Sequence, residues 1–248
     1  MTTVGMLYPG HSAEDEYPYL ESVLGDDIRL PVVHTSVGGP DEITTHEVQA
    51  LLDLGKPERL LSGASEIARE HEADAVMWAC TSGSFVFGWD GAHQQAREIQ
   101  DAINVPTSST SLAFAAALRH LGITKVSISA TYPDDVSRHF VELLGHQGIE
   151  VLDMASHDIA SGEDAGELDH DSVIELALSA NAPEAEAVLI PDTALHTVRW
   201  INELESVLGK TVLTANQVTA WYGLQLAGRT VHSDQLGTLF RPLQKTAA

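Results

Sequence analysis

Only one cysteine, Cys80, stands among the 248 residues. No internal disulfide can form, and nothing points to an oxidising compartment. Positive charge is scarce as well: 13 Lys and Arg oppose 36 Asp and Glu, a net charge of −23. The basic patches that nucleic acid and anionic membranes demand are therefore missing. No apolar run approaches the roughly 18 residues of a membrane helix. Met1-Thr2-Thr3 leads straight into a strand pattern without the basic start of a signal peptide. These absences leave a cytoplasmic enzyme or binding protein whose partner is a small molecule, with no nucleic-acid and no membrane partner. The hydrophobic content of 44% is ordinary for a globular chain with a sizeable core.

What is present is organised around Ala73 to Phe85. Ala75 to Ala79 is a short apolar run that reads as a buried strand. It delivers Cys80 to the strand's C-terminal end, followed at once by Thr81, Ser82 and Gly83. In open α/β sheets that edge is where ligands bind. Hydroxyls and free backbone N–H groups there can hold an anion and lower a thiol pKa from about 8.5. The competing reading is a buried structural cysteine.

Ala185 to Ala194 repeats this pattern: Ala73 matches Ala185, Val76 matches Val188 and Thr81 matches Thr193, so Cys80 corresponds to Asp192. Leu112 to Gly122 and Val218 to Gly228 also match, each an apolar helix closed by glycine. The recurrence predicts two pseudo-symmetric halves with Cys80 and Asp192 facing one cleft. Alternating β and α patterns with short links predict an α/β fold, each half a mostly parallel, Rossmann-like sheet flanked by helices. The first half is expected over 1–111 plus a returning segment 217–248, the second over 112–216.

Along the chain, Val4 to Tyr8 reads as a strand, and Ser12 as the cap of a helix opening on Ala13-Glu14-Asp15-Glu16, whose acids suit the helix dipole better than a metal. Ile28 to Val33 reads as a strand despite Pro31, residues 37–41 as a loop, and Gly88 to Gly91 as a break before a helix from Ala92 to Ile103. The polar stretch from His157 to Asp171 matches no calcium or zinc spacing and reads as a solvated loop. Helices are expected from Ser172 to Asn181 and from about Leu195 to Leu208. Asp192 would then cap the latter helix, act on substrate, or do both. His196, four residues on, would share its face, as a surface histidine or a substrate contact. No metal site and no cofactor are expected.

Three motifs, Ala79-Cys80-Thr81-Ser82-Gly83-Ser84-Phe85, Ala130 to Val136 (ATYPDDV) and Gly209 to Gln217 (GKTVLTANQ), resemble the aspartate/glutamate racemase superfamily, and within it the maleate cis–trans isomerase and arylmalonate decarboxylase branch. The likeness runs from Val4 to about Gly228. It implies a cofactor-independent enzyme with its site between two α/β halves. Cys80 matches the isomerase nucleophile, while Thr81, Ser82 and Tyr132 match groups that hold a substrate carboxylate or enediolate. Three positions depart from the pattern. Asp192 stands where the second catalytic cysteine would fall, Ser12 lies near a family asparagine, and Ser161 or Gly162 lies where another would be.

The resemblance implies an isomerase or racemase of a small carboxylate or dicarboxylate acting through Cys80, and the repeat that sets Asp192 opposite it makes Cys80 and Asp192 the expected catalytic pair. Thr81, Ser82, Tyr132, Thr193, Ser12 and His196 would surround the substrate. An arylmalonate-type decarboxylase needs only one proton donor and is the alternative, although that branch carries its cysteine in the second half. An organic-acid binding protein without turnover is the reading from another class. A homo-oligomer, dimer or tetramer, is expected.

Overall fold

The computed structural model describes residues 1–37 and 45–243. The first half builds a parallel sheet from β1 (Thr2–Pro9), β2 (Ile28–Arg29), β3 (Val32–Thr35), β4 (Ala75–Trp78) and β5 (Thr107–Ser109). The second builds another from β6 (Lys125–Ala130), β7 (Glu150–Ser156), β8 (Ala187–Ile190) and β9 (Thr211–Thr214). Their orders are β2-β1-β4-β5, with β3 also on β1, and β7-β6-β8-β9. Taking β2 and β3 as one interrupted strand, each half has its first strand inside, its second at one edge, and its third and fourth on the other side. β4 and β8 are therefore equivalent, as the sequence repeat predicts. Both are fully buried, which is why they read as unbroken apolar runs.

The helices are α1 (Glu16–Leu24), α2 (Val48–Leu54), α3 (Pro57–Glu70), α4 (Ser82–Phe85), α5 (Gly88–Ile103), α6 (Thr110–Leu121), α7 (Asp134–Gly145), α8 (Gly162–Gly166), α9 (His170–Leu178), α10 (Ile201–Leu208) and α11 (Ala215–Leu226). The equivalent helices α6 and α11 pack on each other, joined by a 2.6 Å hydrogen bond between the buried Thr110 and Thr219 hydroxyls. α11 also lies against β1, β4 and β5 of the first sheet. Its close approach depends on Gly223, where a Cβ would come within 2.4 Å of Val4 Cγ1. An aromatic seam of Phe114, Phe140, Phe85 and Tyr132, with ring centres 5.3 to 5.6 Å apart, ties α6 and α4 to α7 and the end of β6. Buried aromatic pairs of this kind add about 0.5–1.5 kcal/mol beyond their area. Among the described residues, no helix is long and apolar enough to cross a membrane.

Several local expectations are corrected. The strand expected from Ile28 to Val33 is split: β2 pairs with Thr2 and Thr3, β3 with Met6 to Pro9. Pro31, which has no N–H to give, sits between them and offers its carbonyl to Met6 N–H at 2.8 Å. Gly88 is not a break but the first residue of α5, reached at φ 69°. The first helix begins at Glu16 rather than Ala13, and Ser12 does not cap it. The polar stretch from 157 to 171 is not all loop. Ser161 caps the short α8, and Asp169 caps α9, which begins at His170 rather than Ser172. The loop expected over 37–41 lies, beyond Val37, outside the described residues.

Candidate active site

The strands of both sheets end around one narrow cavity of about 320 Å³, open mouth included. It is lined by Tyr8, Pro9, His11 and Ser12 after β1, by His46, by Cys80 and Ser82 after β4, by Gly162 and Glu163 of α8, and by Asp192, Thr193 and Ala194 after β8. Cys80 and Asp192 each lie two residues beyond their strand ends. Of the expected site residues, Cys80, Asp192, Ser82, Ser12 and Thr193 share this wall, and among the described residues no Lys or Arg belongs to it. A larger hollow of about 790 Å³, between Arg138 of α7 and Met154 of β7, contains none of the strand-end residues and is more open to solvent.

The environment of Cys80 differs from the expected one. Its side chain is 3% exposed, and burial pushes the thiol up to about 12. The Gly83 N–H, donating to Sγ at 3.3 Å, and the Ser82 hydroxyl work against that rise, while the charge of Asp192 adds to it. The expected lowering of the thiol is thus overturned: taking the thiolate out of water costs more than these donors return. Near neutrality Cys80 carries its proton. It can give that proton to a developing carbanion, or become a nucleophile once a base has removed it.

Asp192 is held by its neighbours. Thr131, at the end of β6, donates its hydroxyl to Oδ2, and Ala194 N–H donates to Oδ1 at 2.9 Å. The carboxylate closes a turn rather than capping a helix, because α10 starts only at Ile201 after a 3₁₀ turn over Val198–Trp200. The intervening chain is pinned instead by Glu16, whose Oε1 accepts from Thr197 and Val198 N–H at 2.6 Å each. Asp192 and His196 consequently share no helical face. His196 is turned away from the cavity wall, with Nδ1 3.2 Å from the Gly166 carbonyl and Nε2 2.8 Å from Asp15.

Thr81 and Tyr132 stand behind the wall. The Tyr132 hydroxyl donates to the Pro191 carbonyl at 2.5 Å. Burial raises the phenol well above its ordinary value, and the nearby charge of Asp192 adds to this. Thr81 is fully buried, and its Oγ1 has no partner among the described residues. Its side chain lies beside the Tyr132 phenol and works against the rise of that group, so it supports the ring behind the wall.

Sequence reasoning missed Tyr8 and His46. Tyr8 lies next to the last residue of β1, near the same sheet edge as Cys80 after β4, so the strand-end rule could have found it. Its hydroxyl donates to the Thr193 carbonyl at 2.9 Å, accepts from Ala13 N–H at 3.0 Å and lies 2.7 Å from Ser12 Oγ. His46 belongs to no motif, so no sequence signal marks it. Behind Tyr8, Glu16 is buried between the halves and accepts from Asn216 Nδ2 at 2.8 Å. Burial outweighs its N–H donors and raises it to about 7.

One group among the described residues could hold a metal ion. His11, Glu14 and His34 bring ligand atoms within 4.8 Å of one another at the cavity mouth. The two imidazole rings are tilted, with centres 4.0 Å apart at 41°, and His11 Nδ1 and His34 Nε2 lie 2.9 and 4.0 Å from the same Glu14 oxygen.

Two parallel sheets of one strand order, with a cysteine and a carboxylate at matched strand ends around a shared cavity, make a pseudo-symmetric α/β protein with its candidate site where the two halves meet. The sequence model of the arylmalonate decarboxylase family matches residues 56–240, and the chain belongs to that family. It is similar to an arylmalonate decarboxylase of Bordetella bronchiseptica, 26% identical over 52% of this chain but only 55% of that protein's length. It is also similar to a maleate isomerase of Alcaligenes faecalis, 26% identical over 76% of this chain and 80% of the isomerase. The maleate cis–trans isomerase of Nocardia farcinica, solved with a covalently bound succinylcysteine intermediate, shares the fold. Its TM-score is 0.85 at 18% identity, covering 98% of this chain and 99% of that one.

Proposed function

We propose that this chain is a cofactor-independent isomerase or racemase of a small carboxylate or dicarboxylate, working through Cys80. The observation that carries this reading is the meeting of Cys80 and Asp192, from equivalent strand ends, on one small cavity with no Lys or Arg in its wall among the described residues. The cavity is small and narrow, which favours a compact acid over a large one. Without those cations, the substrate carboxylate would be held by the Ser12, Ser82 and Thr193 hydroxyls, donors aimed at developing charge. As a thiolate, Cys80 adds to a carbon–carbon double bond, permits rotation and is expelled again. The succinylcysteine of the Nocardia isomerase is a precedent for that chemistry. In racemisation, Cys80 and Asp192 exchange a proton with opposite faces of one carbon. The cytoplasm and a homo-oligomeric state belong to the same reading.

A decarboxylase is the second reading, favoured by one observation: the protonated Cys80 thiol is already the single donor that an enediolate needs. Proton NMR in heavy water tests both. Incubation with maleate, small chiral acids and aryl-substituted malonates should reveal isomerisation, hydrogen exchange or decarboxylation. Cys80→Ser should lower the rate at least about a hundredfold, the lower range for lost acid–base chemistry, while the thermal midpoint stays nearly constant. Normal turnover by Cys80→Ser would make the thiol structural and end the isomerase and racemase readings built on it. Tight binding without turnover, unaffected by Cys80→Ser, would favour an organic-acid binding protein.

A further inference from the structure

A thiol that keeps its proton near neutrality leaves the addition route without a base, and His46 is built to be one. The residue is 4% exposed and lines the cavity with Cys80, Ser82 and Asp192. Its Nδ1 lies 2.8 Å from the Ile159 carbonyl. A carbonyl only accepts, so the proton sits on Nδ1, and neutral His46 holds a bare lone pair on Nε2. Nε2 has no partner among the described residues. The ring is also set edge-on to Tyr132, with centres 4.7 Å apart. The backbone is anchored as firmly, since His46 N–H donates to the Ala160 carbonyl at 3.0 Å and Thr45 forms an antiparallel bridge with Ser161. Main chain and ring of a first-half residue thus both grip residues 159–161 of the second half, holding the imidazole across the cleft.

Other lining groups serve less well. Both oxygens of Asp192 already accept hydrogen bonds, from Thr131 and Ala194. His11 is 77% exposed and tied to Glu14. Tyr8 has its hydroxyl proton committed to Thr193. Glu163 is half-buried and is the main rival.

We infer that His46 is a catalytic residue, the proton acceptor for Cys80. This rests on the isomerase reading above. The S–H bond breaks, its electron pair stays on sulfur, and the proton forms a new bond to His46 Nε2. The thiolate then adds to the substrate double bond, forming a C–S bond and moving the π pair onto the carboxylate side as an enediolate. After rotation, the pair returns, the double bond re-forms and the thiolate leaves. The imidazolium either hands its proton back or protects the thiolate for the next turnover. While charged, His46 is also the buried cation that a carboxylate lacks elsewhere in this wall.

His46→Asn separates this role from a structural one, since the asparagine amide can replace Nδ1–H toward Ile159 while Nε2 is lost. Cys80 is the chain's only cysteine, so alkylation by iodoacetamide, followed by intact mass near neutral pH, reports its thiolate without any substrate. His46→Asn should slow alkylation at least about tenfold and isomerisation at least about a hundredfold, with little change in thermal midpoint. Alkylation and turnover at wild-type rates would overturn the inference. So would slowing in Glu163→Gln but not in His46→Asn, which would give the role to Glu163. Should alkylation slow as expected while no small carboxylate is turned over by the wild type, the Cys80–His46 pairing stands and the isomerase reading falls.

Discussion

Glu16 makes the junction between the halves sensitive to pH in a direction opposite to that of most paired carboxylates. It comes from α1, takes N–H groups from Thr197 and Val198 of the second half, and meets Asn216 of α11. Its carboxyl is raised from an ordinary 4.5 to about 7, because burial outweighs those donors. The folded protein therefore binds a proton here that the unfolded chain has released between pH 4.5 and about 7. Stability from this group is complete below about 4.5, declines as pH rises through that window and is lost above about 7. Roughly 2.5 pH units at 1.36 kcal/mol each amount to about 3 kcal/mol. Glu16→Gln cannot titrate, so the wild-type-minus-variant difference isolates the term provided other groups titrate alike. Urea unfolding of both proteins at intervals from pH 4.5 to 8 should show the variant gaining about 3 kcal/mol on the wild type. A flat difference refutes the raised carboxyl. A difference of the opposite sign means the three N–H donors dominate, and Glu16 is an ionised tie between the halves.

Two further outcomes follow from packing and from the hold on Asp192. Gly223→Ala drives a methyl to 2.4 Å from Val4 Cγ1 and 3.0 Å from Met77 Cγ. It should cost about 1–3 kcal/mol in denaturant unfolding, the usual range for overpacking, and an unchanged midpoint would show that α11 sits farther from β1. Thr131→Val keeps the shape but removes a hydroxyl donated to a buried carboxylate, a loss of about 1.5–3 kcal/mol for a charge-assisted bond. Circular dichroism melts check the stability, and a Cys80 alkylation rate that responds to Thr131→Val would show that Asp192 acts on the thiol.

The strand ends were legible because parallel strands buried on both faces leave a continuous apolar run, and the chain repeats that run. From the matched runs alone, Cys80 and Asp192 could be set opposite each other, and the cavity contains both. The electrostatics of the site were not legible. A thiol beside Thr81, Ser82 and Gly83 looks well supplied with donors in sequence, yet its pKa depends on how much water the other half excludes. Tyr132 was expected to turn its hydroxyl to substrate, but its partner is the carbonyl of Pro191, close by only because β6 lies beside β8 in the sheet. Asp192 reads as a helix cap until Glu16 is seen to capture the amides of Thr197 and Val198, 181 and 182 residues away in the chain.

His46 shows the same limit most clearly. Its ring is fixed by a carbonyl 113 residues away, and nothing in the residues flanking it announces a catalytic group. Local spacing identifies groups whose roles come from their own strand. A base assembled across a cleft is specified by the surface it touches, and that surface exists only once both halves have folded. The cysteine could thus be found by reading along the chain, while the group best placed to remove its proton could be found only by reading across it.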